Sequence, residues 1–182
     1  MSALPEDHIH TMEDIEALPE GQRAELVDGQ IYMMAPPKPG HERMIFQISR
    51  RIGNHIEEEG LPCEVLTSNV GIFLFDDDST YLLPDLKVVC DSSKMGEDGY
   101  HGAPDFIIEV LSPKTRSRDM LQKLHWYWEA GVKEYWMIDI PERLVYRHVF
   151  VPDYKHDILS FDEDLSVSIC PGFAINLREM GF

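Results

Sequence analysis

The residues best placed to do chemistry in this chain are acids embedded in apolar runs. Glu109 sits inside Pro104-Asp105-Phe106-Ile107-Ile108-Glu109-Val110-Leu111-Ser112-Pro113, which otherwise reads as a buried strand. An unpaired carboxylate in such a place is costly or is forced neutral, so it needs a partner: a bound cation is a suitable one, and a salt bridge to Arg116, Arg118 or Lys123 is the alternative. Asp85 opens a second apolar run, Pro84-Asp85-Leu86-Lys87-Val88-Val89-Cys90, just upstream. Two acids on neighbouring strands, followed by an Arg- and Lys-bearing helix at 118–130, suggest metal-dependent phosphodiester hydrolysis. That reaction needs a nucleophilic water, neutralised phosphate charge and a stabilised leaving oxygen. Mg²⁺ held by carboxylates supplies much of this. A nearby lysine lowers the pKa of the water or balances charge on the phosphate.

Spacing decides which acids could share an ion. Asp105 and Glu109 are four residues apart on one strand, about 13 Å at the backbone, which is too far. Asp85 can face Glu109 if the two strands pair, and Asp105 is then a strand-entry residue. The backbone carbonyl of Val110 is a further candidate ligand, because it follows Glu109 at the same place. Alternation sends Ile107, Glu109 and Leu111 to one face of the strand and Ile108 and Val110 to the other. Lys87, two residues after Asp85, is set aside as a site residue.

The elements that must position these groups are legible in outline. Thr11 can cap a short helix through Leu18, ended near Pro19 and Gly21. Ala24–Val27, Asp28-Gly29 and Gln30–Met34 predict a β-hairpin with a two-residue turn. Ile45, Ile48, Ile52 and Ile56 recur at helical spacing, predicting an amphipathic helix over 41–59 that ends at Gly60. Strands are expected near 63–67, 70–75, 85–90 and 105–111, with Asp76-Asp77-Asp78 as a solvated turn. The helix at 118–130, ended by Gly131, is expected to bury Leu121, Leu124, His125 and Trp128. Lys123 lies off that stripe, on a flank with Met120 and Tyr127. Strands 134–140 and 144–150 follow, joined at Pro141-Glu142-Arg143, and short strand-like pieces fill 154–182. Trp126, Trp128 and Trp136 read as core residues. This order predicts an α/β (α+β) domain with a central mixed sheet flanked by helices. The whole chain, 1–182, reads as one domain with a loose tail at 1–10.

Composition bounds the possibilities. With 43% apolar residues the chain is neither disordered nor a membrane protein, and no run approaches the length of a spanning helix. The acidic N-terminus lacks a signal-peptide pattern. Three cysteines, Cys63, Cys90 and Cys170, lie far apart with no CxxC pair. Neither a zinc site nor a disulfide framework is expected, and a reducing, cytoplasmic setting is. The net charge of −17 opposes simple nucleic-acid binding, since phosphate contacts need Lys and Arg. Between Pro113 and Lys123, however, Lys114, Arg116, Arg118 and Lys123 outnumber the single acid Asp119. Arg43, Arg50 and Arg51 form a second basic cluster.

Taken in order along the chain, several segments resemble the PD-(D/E)XK nuclease superfamily, and within it the Uma-type restriction endonuclease family. They are Glu25-Leu26-Val27-Asp28-Gly29, His41 after a Pro-rich loop, Pro84-Asp85, the run Pro104–Pro113, Arg118-Asp119-Met120-Leu121-Gln122-Lys123, and Tyr127-Trp128-Glu129-Ala130-Gly131-Val132-Lys133-Glu134-Tyr135-Trp136. The resemblance covers roughly residues 10–170. It implies a restriction-endonuclease-like sheet and a Mg²⁺- or Mn²⁺-dependent DNA endonuclease. It makes Asp85 the motif aspartate, Glu109 the (D/E) residue and Glu25 an upstream acid of the metal set. Leu111 stands where the superfamily has lysine, and Lys123 on the following helix occupies the position that replaces it in this branch. His41 and Gln122 would support the site, but by themselves His41 reads first as a helix-initiation residue and Gln122 as a solvated helix side chain. Lys114, Arg116 and Arg118 would contact phosphate. A homodimer would supply the two sites that duplex cleavage needs. The competing expectations are a nuclease-fold module that binds nucleic acid or a protein without chemistry, and a structural or toxin–antitoxin-like partner protein.

Overall fold

The computed structural model describes residues 9–112 and 119–182. A short helix, α1 (Met12–Glu16), precedes the hairpin β1 (Ala24–Val27) and β2 (Gln30–Met33). Asp28 and Gly29 both have positive φ (49° and 72°), as a tight two-residue hairpin turn requires. The long helix α2 (Pro39–Glu59) opens on a proline, whose missing N–H costs nothing in a first turn, and closes on Gly60 in the left-handed conformation. Then come β3 (Glu64–Thr67), β4 (Ile72–Phe73), β5 (Leu86–Val89), β6 (Tyr100–His101) and β7 (Phe106–Val110). A π-helical turn (Asp119–Lys123) leads into α3 (Leu124–Ala130). The chain ends with β8 (Glu134–Asp139), β9 (Leu144–Val149), β10 (Lys155–Ser160), β11 (Asp164–Ser166) and β12 (Ala174–Asn176).

Six strands form one mixed sheet in the order β10-β9-β8-β7-β5-β3. Only β7 and β8 run parallel within it. A parallel pair needs a crossover, and α3 with its π turn lies in that crossover. Alternation along the central strands separates two cores. On one face Ile45, Ile48, Ile52 and Ile56 of α2 pack on Leu86, Val88, Phe106, Ile108 and Trp136. On the other, Ile107, Tyr127, Tyr135 and Met137 pack together with Val27 of the hairpin. Glu109 shares the second face with Ile107 and Leu111, beneath α3 and the hairpin. The predicted mixed sheet, N-terminal hairpin and isoleucine stripe are all present.

Two expectations need correction. The stripe expected on the second helix is largely turned outward: Leu121 and Trp128 are 73% and 61% exposed, and His125 is exposed as well. Lys123 and Tyr127 are buried instead. A π turn holds more residues than an α turn, so it shifts the phase of all that follows. Polar partners on the sheet make the inward lysine and tyrosine tolerable. Cys63 and Cys90 are joined in a disulfide, against the expectation of none. The register Glu64↔Val89 sets the two cysteines opposite one another across β3 and β5, a proximity invisible at 27 residues' separation. No helix among the described residues is long and apolar enough to cross a membrane.

Candidate active site

The register Leu86↔Ile108 places residue 85 opposite residue 109, the pairing that the two apolar runs suggest. Asp85 is largely buried, and its Oδ2 accepts the Val110 N–H at 2.8 Å. His41, in the first turns of α2, places Nε2 2.9 Å from the same oxygen. Burial alone would lower the His41 pKa. The hydrogen bond and charge of Asp85, with a smaller push from Glu42, outweigh it and leave the pKa raised. His41 therefore does more than begin a helix: it clamps Asp85.

Glu109 and Glu25 meet at Lys123. The Lys123 ammonium donates to Glu109 Oε1 at 2.6 Å and to Glu25 Oε1 at 2.8 Å, and all three side chains are nearly inaccessible. The Tyr127 hydroxyl donates to Glu109 Oε1 at 3.1 Å. Lys123 and Tyr127 are four residues apart, so the helix presents both to the sheet together. Glu25 also accepts the Leu83 N–H at 3.2 Å. It is not an edge-strand charge, because β1 pairs with β2 on one side and with Tyr81 on the other.

Lys87, set aside in the sequence, belongs to this cluster. It is wholly buried on the same face as Asp85, and its ammonium donates to the carbonyls of Thr67 (2.9 Å) and Pro84 (3.4 Å). Burial brings its pKa down to about 7, partly opposed by Glu109 and Asp85. The two-residue step from Asp85 was the signal that could have placed it here. Tyr127 was likewise missed as a site residue, and the four-residue step from Lys123 was its signal. Gln122 is exposed on the π turn. Asp105 keeps its strand-entry role, accepting the Cys90 N–H at 2.7 Å and pairing with Lys133 at 2.6 Å. Lys114, Arg116 and Arg118 lie outside the described residues.

The donors suit a hard divalent cation in kind, being carboxylate and carbonyl oxygens. Continuing the register by two residues sets Val110 opposite Pro84, which has no N–H to offer the Val110 carbonyl. Among the described residues, however, no three His, Cys, Asp or Glu side chains converge on one ion in this arrangement. The Lys123 ammonium is the cation between Glu25 and Glu109.

A six-stranded mixed sheet flanked by helices, with an N-terminal hairpin against it, is the restriction-endonuclease-like fold. The chain belongs to the Uma2 family, described as "Putative restriction endonuclease", which it matches over residues 10–178. It superposes with a TM-score of 0.75 on the crystal structure of "a putative nuclease belonging to DUF820" from Anabaena variabilis, which is 20% identical. That match covers 93% of this chain and 96% of the other. Two uncharacterized Synechocystis proteins are also similar. One, slr1290, is 30% identical over 106 residues, which is 58% of this chain and 54% of slr1290. The other, sll1609, is 26% identical over 121 residues, 65% of this chain and 67% of sll1609. The match to slr1290 thus spans about half of that protein's length.

Proposed function

We propose that this protein is a Mg²⁺- or Mn²⁺-dependent endonuclease that hydrolyses phosphodiester bonds in DNA. The observation that carries the reading is the Lys123 ammonium joining Glu25 and Glu109 beside Asp85, on one buried face of the sheet. Asp85, Glu109, the Val110 carbonyl and Glu25 are the groups that would hold the metal. A divalent ion bound there supplies charge neutralisation at the phosphate and an acidified water. His41 keeps Asp85 in place through Oδ2. Tyr127 orients Glu109. Lys123 would orient the attacking water or balance the phosphoryl charge. Lys114, Arg116 and Arg118 contribute phosphate contacts, and a second copy of the chain brings the second site that cutting both strands requires.

Cleavage of plasmid DNA by the purified chain, with Mg²⁺ or Mn²⁺ against chelator, tests this reading. Glu109→Gln and Asp85→Ala are each expected to reduce cleavage by about a hundredfold or more, the usual cost of losing a principal electrostatic group. Undiminished cleavage by both variants would remove the assignment. Calorimetric Mn²⁺ binding, lost in Glu109→Gln, checks the metal site without knowledge of the target. A second reading, a nuclease-fold module that only binds nucleic acid or a protein, is favoured by Leu111, an apolar core residue in the lysine position, and by the acidic balance. DNA binding indifferent to divalent ions, with no cleavage, would select it.

A further inference from the structure

The Asp85 end of the site opens into a cleft of about 340 Å³. Helix α2 contributes His41, Glu42, Phe46 and Ser49 to its lining, and the turn after β3 contributes Ser68 and Asn69. Arg23 also lines it, and its guanidinium is held by the Ser68 carbonyl. Arg23 and Asn69 border a neighbouring cavity of about 280 Å³ as well.

Phe46 is the unexplained residue of this cleft. It is 65% exposed, one position off the isoleucine stripe that docks α2 on the sheet. A large aromatic ring there contributes little to the core. A cleft of this volume lies at the small end of ligand sites. It accommodates a single nucleoside and not a double helix. The chain's net charge of −17 further limits how much affinity phosphate contacts alone can supply. Stacking of a base on an aromatic ring is the other general source of nucleic-acid affinity, and it is open only to a base that has left its duplex neighbours.

We infer that this cleft receives an unpaired nucleotide beside the scissile phosphate, with its base on the Phe46 ring and its polar edge toward Ser49 and Asn69. The inference rests on the nuclease reading above and narrows its substrate to single-stranded nucleic acid, or to a duplex with a displaced nucleotide. Arg23 is placed to meet a phosphate of the same strand. Sequence preference at this position is weak, since every base has a face to stack.

The test is fluorescence anisotropy with the full chain in Ca²⁺. The probes are a labelled single-stranded DNA, the matched duplex and a duplex carrying one mismatch. The single strand, the mismatched duplex or both are expected to bind more tightly than the matched duplex, and which of them does so separates the two sources of an unpaired base. Phe46→Ala is expected to weaken that binding by about fivefold to a hundredfold, the range for loss of one stacked base. Phe46→Trp is expected to retain binding, with its added indole emission quenched by the probe. Equal binding by wild type and Phe46→Ala, or preference for the matched duplex, would overturn this inference and leave the nuclease reading standing. Failure of all three probes to bind would overturn both.

Discussion

Replacing Lys123 by methionine keeps the length of the side chain and removes the charge that two buried carboxylates share. The Lys123 side chain is 3% exposed, that of Glu25 0% and that of Glu109 7%, so solvent offers little compensation. Breaking a buried ion pair from one side costs about 3–5 kcal/mol, because the remaining charge stays desolvated. With two carboxylates involved, the upper part of that range is expected. For a chain of this size each kcal/mol moves the melting temperature by about 2–4 °C, so Lys123→Met should melt roughly 10 °C or more below wild type. The assay is urea unfolding near neutral pH in chelator, with thermal melting beside it. Lowering the pH should shrink the loss, since protons can replace the missing cation on the carboxylates. Glu25→Gln combined with Lys123→Met should cost clearly less than the sum of the two single losses, because the pair is in direct contact. A loss below about 1 kcal/mol, the size of an exposed pair, or strict additivity with Glu25→Gln, would refute the buried bridge.

Three further outcomes follow from the same geometry. Lys87 has its folded-state pKa lowered to about 7 from 10.5, so the unfolded chain binds the extra proton between those values and stability should rise with pH there. Chemical denaturation across that window should show the rise, on the order of 1 kcal/mol per pH unit, and Lys87→Met should abolish it. Glu134 has its pKa raised by burial, against the opposing bonds from Ser168 and Trp136, so stability should fall as pH rises from 4.5 through the raised value. Glu134→Gln should flatten that segment of the curve, and an unchanged slope would count against it. Tyr127→Phe removes the hydroxyl that donates to Glu109 and should cost about 1–2 kcal/mol in denaturation without altering the sheet. It should also weaken Mn²⁺ binding, measured by calorimetry, more than an exposed control such as Trp128→Phe.

Much of the architecture is a local property of the sequence. The period-3.6 isoleucines of α2, the Asp28-Gly29 turn and the Gly60 and Gly131 stops are each decided within a few residues, and the structure keeps them all. So is the alternation that puts Glu109 on the face opposite Ile108, and with it the requirement that the carboxylate find a partner. Asp85 and Glu109 could be paired in advance because one antiparallel register links two short, recognisable runs.

What tertiary structure alone decided is where polarity is tolerated. Hydrophobic patterning assigns lysine and tyrosine to the outer side of a helix, yet Lys123 and Tyr127 point inward, because Glu109 and Glu25 wait beneath them. The π turn that rotates them, the burial of Lys87 between two carbonyls and the meeting of Cys63 with Cys90 depend on segments far apart in the chain. A sequence reports the cost of burying each charge and offers candidate partners, Arg116, Arg118 or Lys123 for Glu109, but not which of them reaches it. That partner is supplied by the crossover, which lays one helix across the end of β7.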